Sequence, residues 1–280
     1  MSHPAGTQAE SRTLAPPERR VAPVVANIEL GAYRLIAAED SEGPTDPCPG
    51  QCYMLAAAER WGGGEDGRPH LPRAFSFARA RPADAGVRLE FLLEAIGPGT
   101  ERLATLEPGD GLALVGPLGL GFRLEEGERP LLVGGGIGSA PLLCLQDAVP
   151  GAQVLLGFRS AAHARAAELF DAPQVATDDG SRGRRVLVTE LLREELEREP
   201  GVEVFACGPP PMLEAVRLLC AERGVHAQLA LESGMACGFG ACFGCVVPTR
   251  DGYVRLCLEG PVLKADRLES ALFPGAGHSS

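Results

Sequence analysis

The chain has 280 residues, of which 45% are hydrophobic, and this is enough to bury the cores of two domains and a small third one. Acidic residues outnumber basic ones by 37 to 26, so the net charge is -11. This balance argues against nucleic acid or an anionic membrane as a partner, because no run of Lys or Arg offsets it. No apolar stretch is long enough for a transmembrane helix, and we expect none.

The first twenty residues, MSHPAGTQAESRTLAPPERR, lack the apolar core of a secretory signal. Their Pro, Ser, Arg and Glu content predicts a disordered leader over residues 1–20. The chain also holds nine cysteines, an odd number that favours metal ligation or buried thiols over disulfides in a reducing compartment. We therefore expect a cytoplasmic protein.

Short apolar runs alternate with Gly and Pro from residue 21 to residue 125. The runs VVANIEL, YRLIAA, CYMLAAA, RLEFLLEAI and DGLALVG each have the length of a strand, and no long helical pattern separates them. Many short strands in succession are typical of an antiparallel barrel or sandwich. We predict an antiparallel β-barrel over residues 21–125.

The pattern changes near residue 126, where strands and helices begin to alternate. LLVGGG is a buried strand that ends in glycines, and SAPLLCLQDAV is a helix with Pro141 in its first turn. The order repeats through AQVLLGF, AAHARAAELF, QVATDD, VLVTELLREELERE, VEVFACG and PPMLEAVRLLCAERG. This alternation predicts a doubly wound parallel sheet with helices on both faces over residues 126–225. Residues 226–275 are rich in Cys and Gly and end in two short strands within GYVRLCLEGPVL, so we expect a third, small domain.

The segment GMACGFGACFGC carries the most specific chemical signal. Its cysteines are spaced Cys237-x4-Cys242-x2-Cys245, and Cys257 follows after eleven residues. This is the plant-ferredoxin spacing for the four thiolates of a [2Fe–2S] cluster, and the glycines suit a loop that turns its N–H groups toward the sulfurs. Four cysteines also suffice for zinc, but zinc sites usually have two C-x2-C pairs and this segment has one. We predict the cluster, with zinc as the alternative.

Four other cysteines have no ligand spacing. Cys48 and Cys52 flank the tripeptide PGQ before a strand, and Cys144 and Cys220 lie on apolar helix faces. We interpret all four as packing residues.

RAFSFA and GPGT are candidates for binding a flavin nucleotide. In a barrel strand, Arg73 would pair with a phosphate while the hydroxyl of Ser76 reaches a flavin ring nitrogen. Gly99 and Thr100 precede the helical stretch ERLATL, and N–H groups at a helix N-terminus suit a pyrophosphate. An ordinary strand with one exposed Arg, followed by a capped helix, explains the same residues equally well.

GGGIGS is a glycine-rich turn between a strand and a helix, which predicts a phosphate-facing backbone. Because Ser139 breaks the pattern G-x-G-x-x-G/A, the turn alone is weak evidence. ACGPPPML lies at the end of the last predicted strand of the sheet, and open α/β sheets bind ligands at the carboxyl ends of their strands. A buried small thiol explains Cys207 as well as a nicotinamide contact does. The predicted nicotinamide-binding residues are Gly135, Gly136, Ile137, Gly138, Cys207, Gly208 and Pro209.

Taken in order, these segments resemble one family. PGQCYML is similar to that family's PGQF strand, RAFSFA to its Arg-Pro-x-Ser flavin motif and GPGT to its pyrophosphate turn. GPLGLGF, GGGIGSAPLL, TDDGSRG, ACGPPPML, and MACGFGACFGCVV with CLEGPVL follow. Over about residues 21–270 the chain resembles the electron-transfer subunit of the NAD-linked dihydroorotate dehydrogenase, within the ferredoxin–NAD(P) reductase superfamily. Two departures from the family matter for the implied contacts: Ala74 stands where Pro is usual, and Leu120 stands where Asn is common.

The resemblance implies a flavin-binding barrel, a nicotinamide-binding α/β domain and a [2Fe–2S] domain, with FAD, NAD and the cluster as cofactors. It favours NAD over NADP, although Arg159 and Ser160 at the end of AQVLLGF suit a 2′-phosphate. No side chain of this chain is assigned a catalytic role. The residues implied to contact FAD are Arg73, Ala74, Phe75, Ser76, Leu92, Leu93, Glu94, Gly99 and Thr100.

The implied function is electron transfer in pyrimidine biosynthesis. Nicotinamide exchanges a hydride and a [2Fe–2S] cluster exchanges single electrons, so FAD, which does both, belongs between them. In the family, electrons leave dihydroorotate at an FMN in a partner subunit and reach NAD+ through the cluster and FAD. No segment here resembles a dihydroorotate site, so the resemblance implies an FMN-containing catalytic partner, with two copies of each chain. The alternatives are a diaphorase subunit of another redox complex, such as a hydrogenase, and a non-enzymatic binding protein stabilised by zinc.

Overall fold

The computed structural model describes residues 12–16, 18–63, 68–124, 129–199 and 201–276. These residues form a seven-stranded sheet, a six-stranded sheet and a two-stranded sheet. Across the described ranges, no helix combines the length and the apolar character needed to span a membrane.

The predicted leader and one predicted domain boundary lie partly outside the described residues. Of the predicted leader, residues 1–11 and 17 lie outside the described residues. The predicted boundary at 125/126 falls in the undescribed stretch 125–128. The short described part of the leader contacts the rest of the chain. Arg12 donates to the carbonyl oxygen of Leu258 over 2.5 Å, and the N–H of Thr13 donates to Gln51 Oε1 over 3.2 Å.

The first unit is an antiparallel sheet of seven strands, ordered β4-β3-β7-β1-β2-β6-β5, that curls into a half-barrel. Its strands are β1 (Arg20–Leu30), β2 (Tyr33–Asp40), β3 (Cys52–Ala57), β4 (Arg73–Ser76), β5 (Arg79–Pro82), β6 (Val87–Leu93) and β7 (Gly111–Leu118). In β6, Val87, Leu89 and Phe91 are buried in the interior, whereas Arg88 and Glu90 between them are partly exposed. Helix α1 (Pro98–Ala104) follows β6. The predicted antiparallel β-barrel is confirmed as a half-barrel that stays open between β4 and β5.

Strand β3 is buried on both faces. Tyr53 points into the interior of the half-barrel, whereas Cys52 and Met54 form a small cluster with Leu118 on the outer face. The C-terminal segment covers that outer face, since a Cβ on Gly238 would lie 2.6 Å from Met54 Cγ. Burial on both faces explains why CYMLAA is an unbroken apolar run rather than an alternating one.

The second unit is a six-stranded sheet ordered β10-β9-β8-β11-β12-β15, parallel except for its last strand. Its strands are β8 (Arg129–Gly135), β9 (Gln153–Phe158), β10 (Gln174–Thr177), β11 (Val202–Cys207), β12 (Ala227–Ala230) and β15 (Val262–Lys264). Its helices are α2 (Ala140–Ala148), α3 (Val188–Arg198) and α4 (Pro210–Arg223), with 3-10 helices at Gly136–Ser139 and His163–Leu169. Leu131 and Val133 pack under α3 and α4, whereas Leu132 packs under α2 on the opposite face. The predicted doubly wound sheet is confirmed, and AAHARAAELF, predicted as a helix, is of the 3-10 type.

The order of the parallel strands reverses between β8 and β11, which are the first and fourth strands of this unit along the chain. Gly134 of β8 pairs with Cys207 of β11 at their carboxyl ends. In open α/β sheets the crevice at such a reversal is where ligands bind. The glycine turn after β8 and the ACGPPPML segment after β11 therefore meet at the expected edge.

The C-terminal segment holds the two-stranded sheet of β13 (Val246–Thr249) and β14 (Gly252–Arg255), the short helix α5 (Leu256–Glu259) and a 3-10 helix at Ala265–Arg267. The two strands predicted in GYVRLCLEGPVL are β14 and β15, and α5 between them was not predicted. Cys257 therefore lies on a helical turn. Strand β15 pairs antiparallel with β12, which fastens the segment to the second unit.

Hydrogen bonds and ion pairs join the half-barrel to the parallel sheet. The N–H of Ala32, in the β1–β2 turn, donates to the carbonyl oxygen of Ala162 over 3.1 Å. Arg79 of β5 pairs with Asp147 of α2 at 2.6 Å. Glu94, just after β6, pairs with Arg159, just after β9. These contacts hold the ends of β4, β8 and β11 around one cleft.

Candidate functional site

A cleft of about 340 Å³ opens where the half-barrel, the parallel sheet and the C-terminal segment meet. The half-barrel contributes β4 and the turn before α1, and the parallel sheet contributes the ends of β8 and β11. The predicted cofactor residues that line it are Arg73, Ala74, Phe75, Ser76, Leu92, Glu94, Thr100, Ile137, Gly138 and Cys207. The predicted residues that do not line it are Leu93, Gly99, Gly135, Gly136, Gly208 and Pro209. The structure therefore brings seven of the nine predicted flavin residues and three of the seven predicted nicotinamide residues into one volume.

Arg73, at the start of β4, lies over the turn that precedes α1. A Cβ on Gly99 would lie 2.5 Å from Arg73 Nε, so a side chain at position 99 would displace the guanidinium. Arg73 Nη1 donates to the carbonyl oxygen of Leu71 over 2.6 Å, and its Cζ lies 6.0 Å from the centre of the Trp61 ring. Both partners are neutral, so the positive charge is available to an anionic group in the cleft.

Thr100 shapes the turn from within. Its hydroxyl oxygen accepts the N–H groups of Ile96 and Gly97 at 3.0 and 3.2 Å, and the hydroxyl donates to the carbonyl oxygen of Gly97 at 3.1 Å. The first N–H groups of α1 have no partner inside the helix. The Thr100 side chain thus fixes the turn. What the turn can offer to a ligand is the set of first N–H groups of α1.

The strand residues of the flavin prediction differ in where they point. Ser76 lines the cleft and pairs with Cys52 across β4 and β3. Leu92 also lines the cleft, whereas Leu93 is fully buried in the interior of the half-barrel. Leu93 can therefore act on a cofactor only through its backbone.

Glu94 links the half-barrel to the parallel sheet. Its Oε1 accepts a hydrogen bond from Arg159 Nη2 at 2.8 Å and lies 3.3 Å from His163 Nε2. The hydroxyl of Ser160 lies 2.9 Å from His163 Nδ1, and the Tyr33 ring packs edge-on against His163 with centroids 5.6 Å apart. Arg159 and Ser160, the residues that suit a 2′-phosphate, are thus both engaged by neighbouring side chains.

The glycine turn after β8 packs directly on the loop after β11. A Cβ on Gly138 would lie 2.6 Å from Gly208 Cα, so the two backbones leave no room for a side chain. Gly136 has a φ of 55°, which favours glycine. Ser139 stands where the third small residue of the dinucleotide pattern is expected, and its hydroxyl donates to the carbonyl oxygen of Gly136 at 2.9 Å. The turn keeps its tight shape despite the departure from that pattern.

Cys207 is buried and lines the cleft beside Gly138. Burial raises the pKa of its thiol well above the ordinary value of 9.0, and the charge of Glu232 adds to the effect. The thiol is therefore protonated and uncharged at neutral pH. This agrees with both interpretations of Cys207, a nicotinamide contact and a buried small side chain.

The four cysteines of the C-terminal segment lie in two pairs. The Sγ atoms of Cys245 and Cys257 are 3.3 Å apart and buried, and the N–H of Leu256 donates to the Cys245 carbonyl oxygen at 3.0 Å. Cys237 and Cys242 interact with each other nearer the surface. A [2Fe–2S] cluster takes two ligands on each iron, which suits two pairs of thiols. In the part of the chain that the structure describes, no group of three or more His, Cys, Asp or Glu side chains is set to hold one metal ion.

Backbone donors surround the sulfur of Cys237. Partial burial alone would raise the pKa of this thiol, but the N–H groups of Cys242 and Phe239, among others, outweigh it and lower the pKa to about 7. Burial, together with the Cys245 thiol, instead raises the pKa of Cys257 to about 12. N–H groups aimed at sulfur stabilise thiolates and tune clusters, so the loop has the donors that iron–sulfur ligation needs.

Several residues of the cleft wall were not predicted from the sequence. Cys52 was interpreted as a packing residue, and Pro141 was noted only as a helix-starting residue. Pro141 could have been found, because the first turn of a helix after a glycine turn is where a phosphate group would lie. Residues 231–235 have no motif that would reveal them. The unpredicted lining residues are Cys52, Ile96, Gly97, Ala140, Pro141, Leu231, Glu232, Ser233, Met235 and Pro261.

A family model described as the iron–sulfur cluster binding domain of dihydroorotate dehydrogenase B matches residues 232–269. This range contains all four cysteines of the two pairs, and it also includes the cleft residues Glu232, Ser233, Met235 and Pro261.

Curated relatives match most of the chain. The electron transfer subunit of dihydroorotate dehydrogenase B (NAD(+)) from Caldanaerobacter subterraneus subsp. tengcongensis is 35% identical over 229 residues, which are 79% of this chain and 87% of that protein. The subunit of the same name from Clostridium acetobutylicum is 32% identical and covers 86% of this chain and 92% of that protein. The probable subunit from Methanopyrus kandleri is 34% identical, with 91% and 93% covered.

Solved structures share the fold. The NADH-dependent reduced ferredoxin-NADP oxidoreductase superposes with a TM-score of 0.76 at 24% identity, over 90% of each chain. The ferredoxin reductase in carbazole 1,9a-dioxygenase gives a TM-score of 0.62 at 25% identity, over 76% of this chain and 68% of that one.

Proposed function

This chain belongs to the family of dihydroorotate dehydrogenase B electron-transfer subunits, and on that premise we propose that it carries electrons from a dihydroorotate-oxidising partner to NAD+ through a [2Fe–2S] cluster and FAD. It is an oxidoreductase subunit. The observation that carries the proposal is the cleft itself. The cleft unites β4, the glycine turn at Gly138, Cys207 and the segment 231–235. That segment leads into residues 237–245, which we call the cysteine loop.

The residues of the cleft fit FAD. The Arg73 guanidinium, which rests on Gly99 and has only neutral partners, supplies a positive charge for a pyrophosphate. The turn fixed by Thr100 places the first N–H groups of α1, which have no partner within the helix, next to that charge. Phe75, Leu92 and Ile137 give the cleft apolar walls, which suit a flavin ring. When bound, FAD supplies the conversion between hydride transfer and single-electron transfer.

The residues of the C-terminal loop fit a [2Fe–2S] cluster. The pairs Cys237/Cys242 and Cys245/Cys257 supply two ligands for each iron, and the N–H groups around Cys237 favour its thiolate. The match of this segment to the iron–sulfur domain family supports the cluster over zinc. The chain's own part in the chemistry is to hold this centre beside the half-barrel, where Gly238 lies against Met54.

NAD is the proposed nicotinamide cofactor, bound at the glycine turn and the loop after β11. Close packing of Gly138 on Gly208 leaves backbone exposed to a pyrophosphate, as in other sheets of this order. The ion pair between Glu94 and Arg159 supports NAD over NADP, because it engages the guanidinium that would otherwise meet a 2′-phosphate. Cys207 adds a neutral, buried thiol to the wall where the nicotinamide would lie.

A catalytic partner subunit is implied by the family, and we propose that it is an FMN-containing protein present in two copies with two copies of this chain. Two aromatic side chains beside the cysteine loop support a partner there. Phe239 is 50% exposed and Phe243 is 62% exposed, and Cys242 between them is also exposed. Large exposed aromatic side chains next to a ligand of the cluster suit an interface across which electrons pass.

Free thiols and a cluster persist best in a reducing compartment, so a cytoplasmic location is part of the proposal. We also propose that the functional division follows the sequence prediction, with the barrel at 21–125, the nicotinamide domain at 126–225 and the cluster domain at 226–275. Within the last range, β12 and β15 belong to the parallel sheet, so the cluster domain shares that sheet with the nicotinamide domain.

Anaerobic purification and a visible absorption spectrum test the cofactors. We expect flavin bands together with broad iron–sulfur absorption, and bleaching of the flavin by NADH faster than by NADPH. A colourless protein with one zinc per chain would contradict the redox function. Comparing the two nicotinamides on the bound flavin tests the NAD assignment separately.

Co-purification tests the partner. We expect an FMN protein that oxidises dihydroorotate to associate with this chain, with a mass that fits two copies of each. If a different redox protein associates instead, such as a hydrogenase, the electron-transfer role stands and the pyrimidine assignment fails. The variant Phe243→Asp is expected to weaken the association without loss of cluster, whereas Tyr253→Asp, at an exposed site on β14, serves as a surface control.

A further inference from the structure

A small sulfur-rich cluster lies between the cleft and the cysteine loop. Cys52, Met54 and Leu118 are its buried members, and Ala74, Val115 and Met235 pack against them. We call these six residues the plug. Three of the six carry sulfur, which is soft and polarisable, and none carries a charge.

One side of the plug forms part of the cleft. Cys52, Ala74 and Met235 all line the volume that also holds Arg73 and Cys207. These three come from β3, β4 and the C-terminal segment, so the plug is where that segment closes the cleft against the half-barrel. A flavin in the cleft would touch the plug directly.

The other side of the plug touches the cysteine loop. A Cβ on Gly238, the residue after Cys237, would lie 2.6 Å from Met54 Cγ and 2.9 Å from Leu118 Cδ1. The plug therefore packs directly against the loop beside Cys237.

Cys52 departs from the resemblance noted in the sequence. The strand PGQF of the family has an aromatic residue where this chain has Cys52 in PGQC. A thiol is much smaller than a phenyl ring, and here Met54 and Met235 pack beside it. The chain thus fills the space between the two sites with thioether and thiol groups.

We propose that the plug is the route by which electrons cross between the flavin in the cleft and the cluster in the loop, and that its close packing sets the rate of that crossing. The proposal rests on the proposed function, since it requires both centres. Each crossing oxidises one centre by one electron and reduces the other by one, so the plug is itself neither oxidised nor reduced and passes no proton. Its apolar side chains also keep water out of the gap, which controls the dielectric around the cluster.

The test compares two rates in the full chain loaded with flavin and iron under anaerobic conditions. NADH is mixed with the protein, flavin bleaching is followed by absorption, and cluster reduction is followed by freeze-quench electron paramagnetic resonance. Met54→Ala removes plug atoms without touching the cleft lining. We expect it to leave flavin bleaching unchanged and to slow cluster reduction by roughly tenfold, as changes in the shell around a metal centre do.

Two further variants and one control complete the test. Met54→Leu refills the space and is expected to restore most of the rate, whereas Cys52→Ser brings a hydroxyl into the plug and is expected to slow the same step. Cys220→Ala removes an equally buried sulfur in α4, away from the plug, and is expected to change neither rate. The resonance spectrum of the dithionite-reduced cluster, which needs no turnover, is expected to be unchanged in all four.

The proposal is overturned if Met54→Ala and Cys52→Ser reduce the cluster at the rate of the unmodified protein, or if Cys220→Ala slows it equally. If Met54→Ala does not take up iron, Cys52→Ser alone decides the outcome. If the unmodified protein takes up no flavin or no iron, the proposed function fails and the plug proposal fails with it. If the unmodified protein takes up both cofactors and the plug variants reduce the cluster at its rate, only the plug proposal is refuted.

Discussion

The two glycine-rich segments of this chain use glycine for different reasons. In GGGIGS, Gly138 lies against the Gly208 backbone, where a Cβ would come within 2.6 Å of Cα. In GMACGFGACFGC, a Cβ on Gly234 would meet nothing within 4 Å, and Gly240 has a φ of 82°. Position 138 needs glycine for space alone, whereas in the second segment Gly238 and Gly240 combine a positive φ with close neighbours and Gly234 has neither constraint.

The difference follows from what each segment would hold. A turn that offers backbone N–H groups to a pyrophosphate must approach its neighbours closely, so its glycines lie in the packed interior. A loop that wraps around sulfur-bound iron must bend repeatedly near the surface, and Cys242 in it is exposed. Equal glycine content in a sequence therefore does not mean equal tolerance of substitution.

The largest expected effect separates the segments by their ligands. Cys242→Ser removes one thiolate from an exposed position, so we expect loss of iron and of the visible cluster absorption with little change in folding. Iron and sulfide analysis measures it. Cys48→Ser, at another incompletely buried cysteine outside the loop, is the matched control and should keep its full iron content.

Substituting one glycine in each segment tests the comparison directly. Gly138→Ala forces a Cβ onto the Gly208 backbone, and we expect it to lower the free energy of unfolding by about 1–3 kcal/mol. Gly234→Ala has free space, and we expect a change within about 0.5 kcal/mol. Urea denaturation measures both. Equal losses in the two variants would contradict the difference in space between the two positions.

The preference for NADH over NADPH is expected to depend on the ion pair between Glu94 and Arg159. Glu94→Gln removes the charge that engages Arg159, so the guanidinium becomes available to a 2′-phosphate. Because Arg159 is largely exposed, the effect is modest, and we expect NADPH to gain on NADH by about fivefold or less. Rates of flavin bleaching by the two nicotinamides give the ratio. An unchanged ratio would mean that Arg159 does not face the 2′ position.

The smallest effect concerns how the C-terminal segment is held to the parallel sheet. Glu214 accepts hydrogen bonds from Arg217 at 2.7 and 2.9 Å and from the N–H of Ala271 at 2.6 Å. The Arg217 bonds, helped by Ala271, lower the pKa of this carboxyl below its ordinary value of 4.5. Its contribution to stability is therefore present above pH 4.5 and is lost as the pH falls through the lowered pKa.

We expect Glu214→Gln to lower the free energy of unfolding at pH 7 by about 1 kcal/mol. The difference from the unmodified protein should shrink as the pH falls below the lowered pKa, because the side chain at position 214 is then uncharged in both proteins. Denaturation measured between pH 7 and pH 3 follows it. A difference that grows toward low pH would contradict the sign of the shift.

The parts that could be predicted from the sequence depend on local pattern. Alternation of strands and helices predicted the parallel sheet, because each element has its own local pattern. The spacing of Cys237, Cys242 and Cys245 predicted the cluster loop, because these three ligands lie within nine residues of one another. The helical turn α5 was not predicted, since VRLCLEG is too short and too apolar to distinguish a strand from a turn of helix.

Contacts between distant segments could not be predicted. The plug joins residues 52, 74, 118 and 235, which no motif connects, and Cys52 in isolation has the appearance of an ordinary buried thiol. The engagement of Arg159 by Glu94 depends on how two units dock, so the sequence alone left NAD and NADP open. Tertiary placement decides both, and periodicity contains no information about it.

Strand β15 has a consequence for aggregation of the chain. By pairing with β12 it covers what would otherwise be the open edge of the parallel sheet, and an uncovered edge is a template for pairing with other chains. The residues that complete this edge follow directly after Cys257 and α5. A chain truncated after the cysteine loop would thus lose more than a cluster ligand: its exposed β12 would make it prone to aggregate through its own sheet.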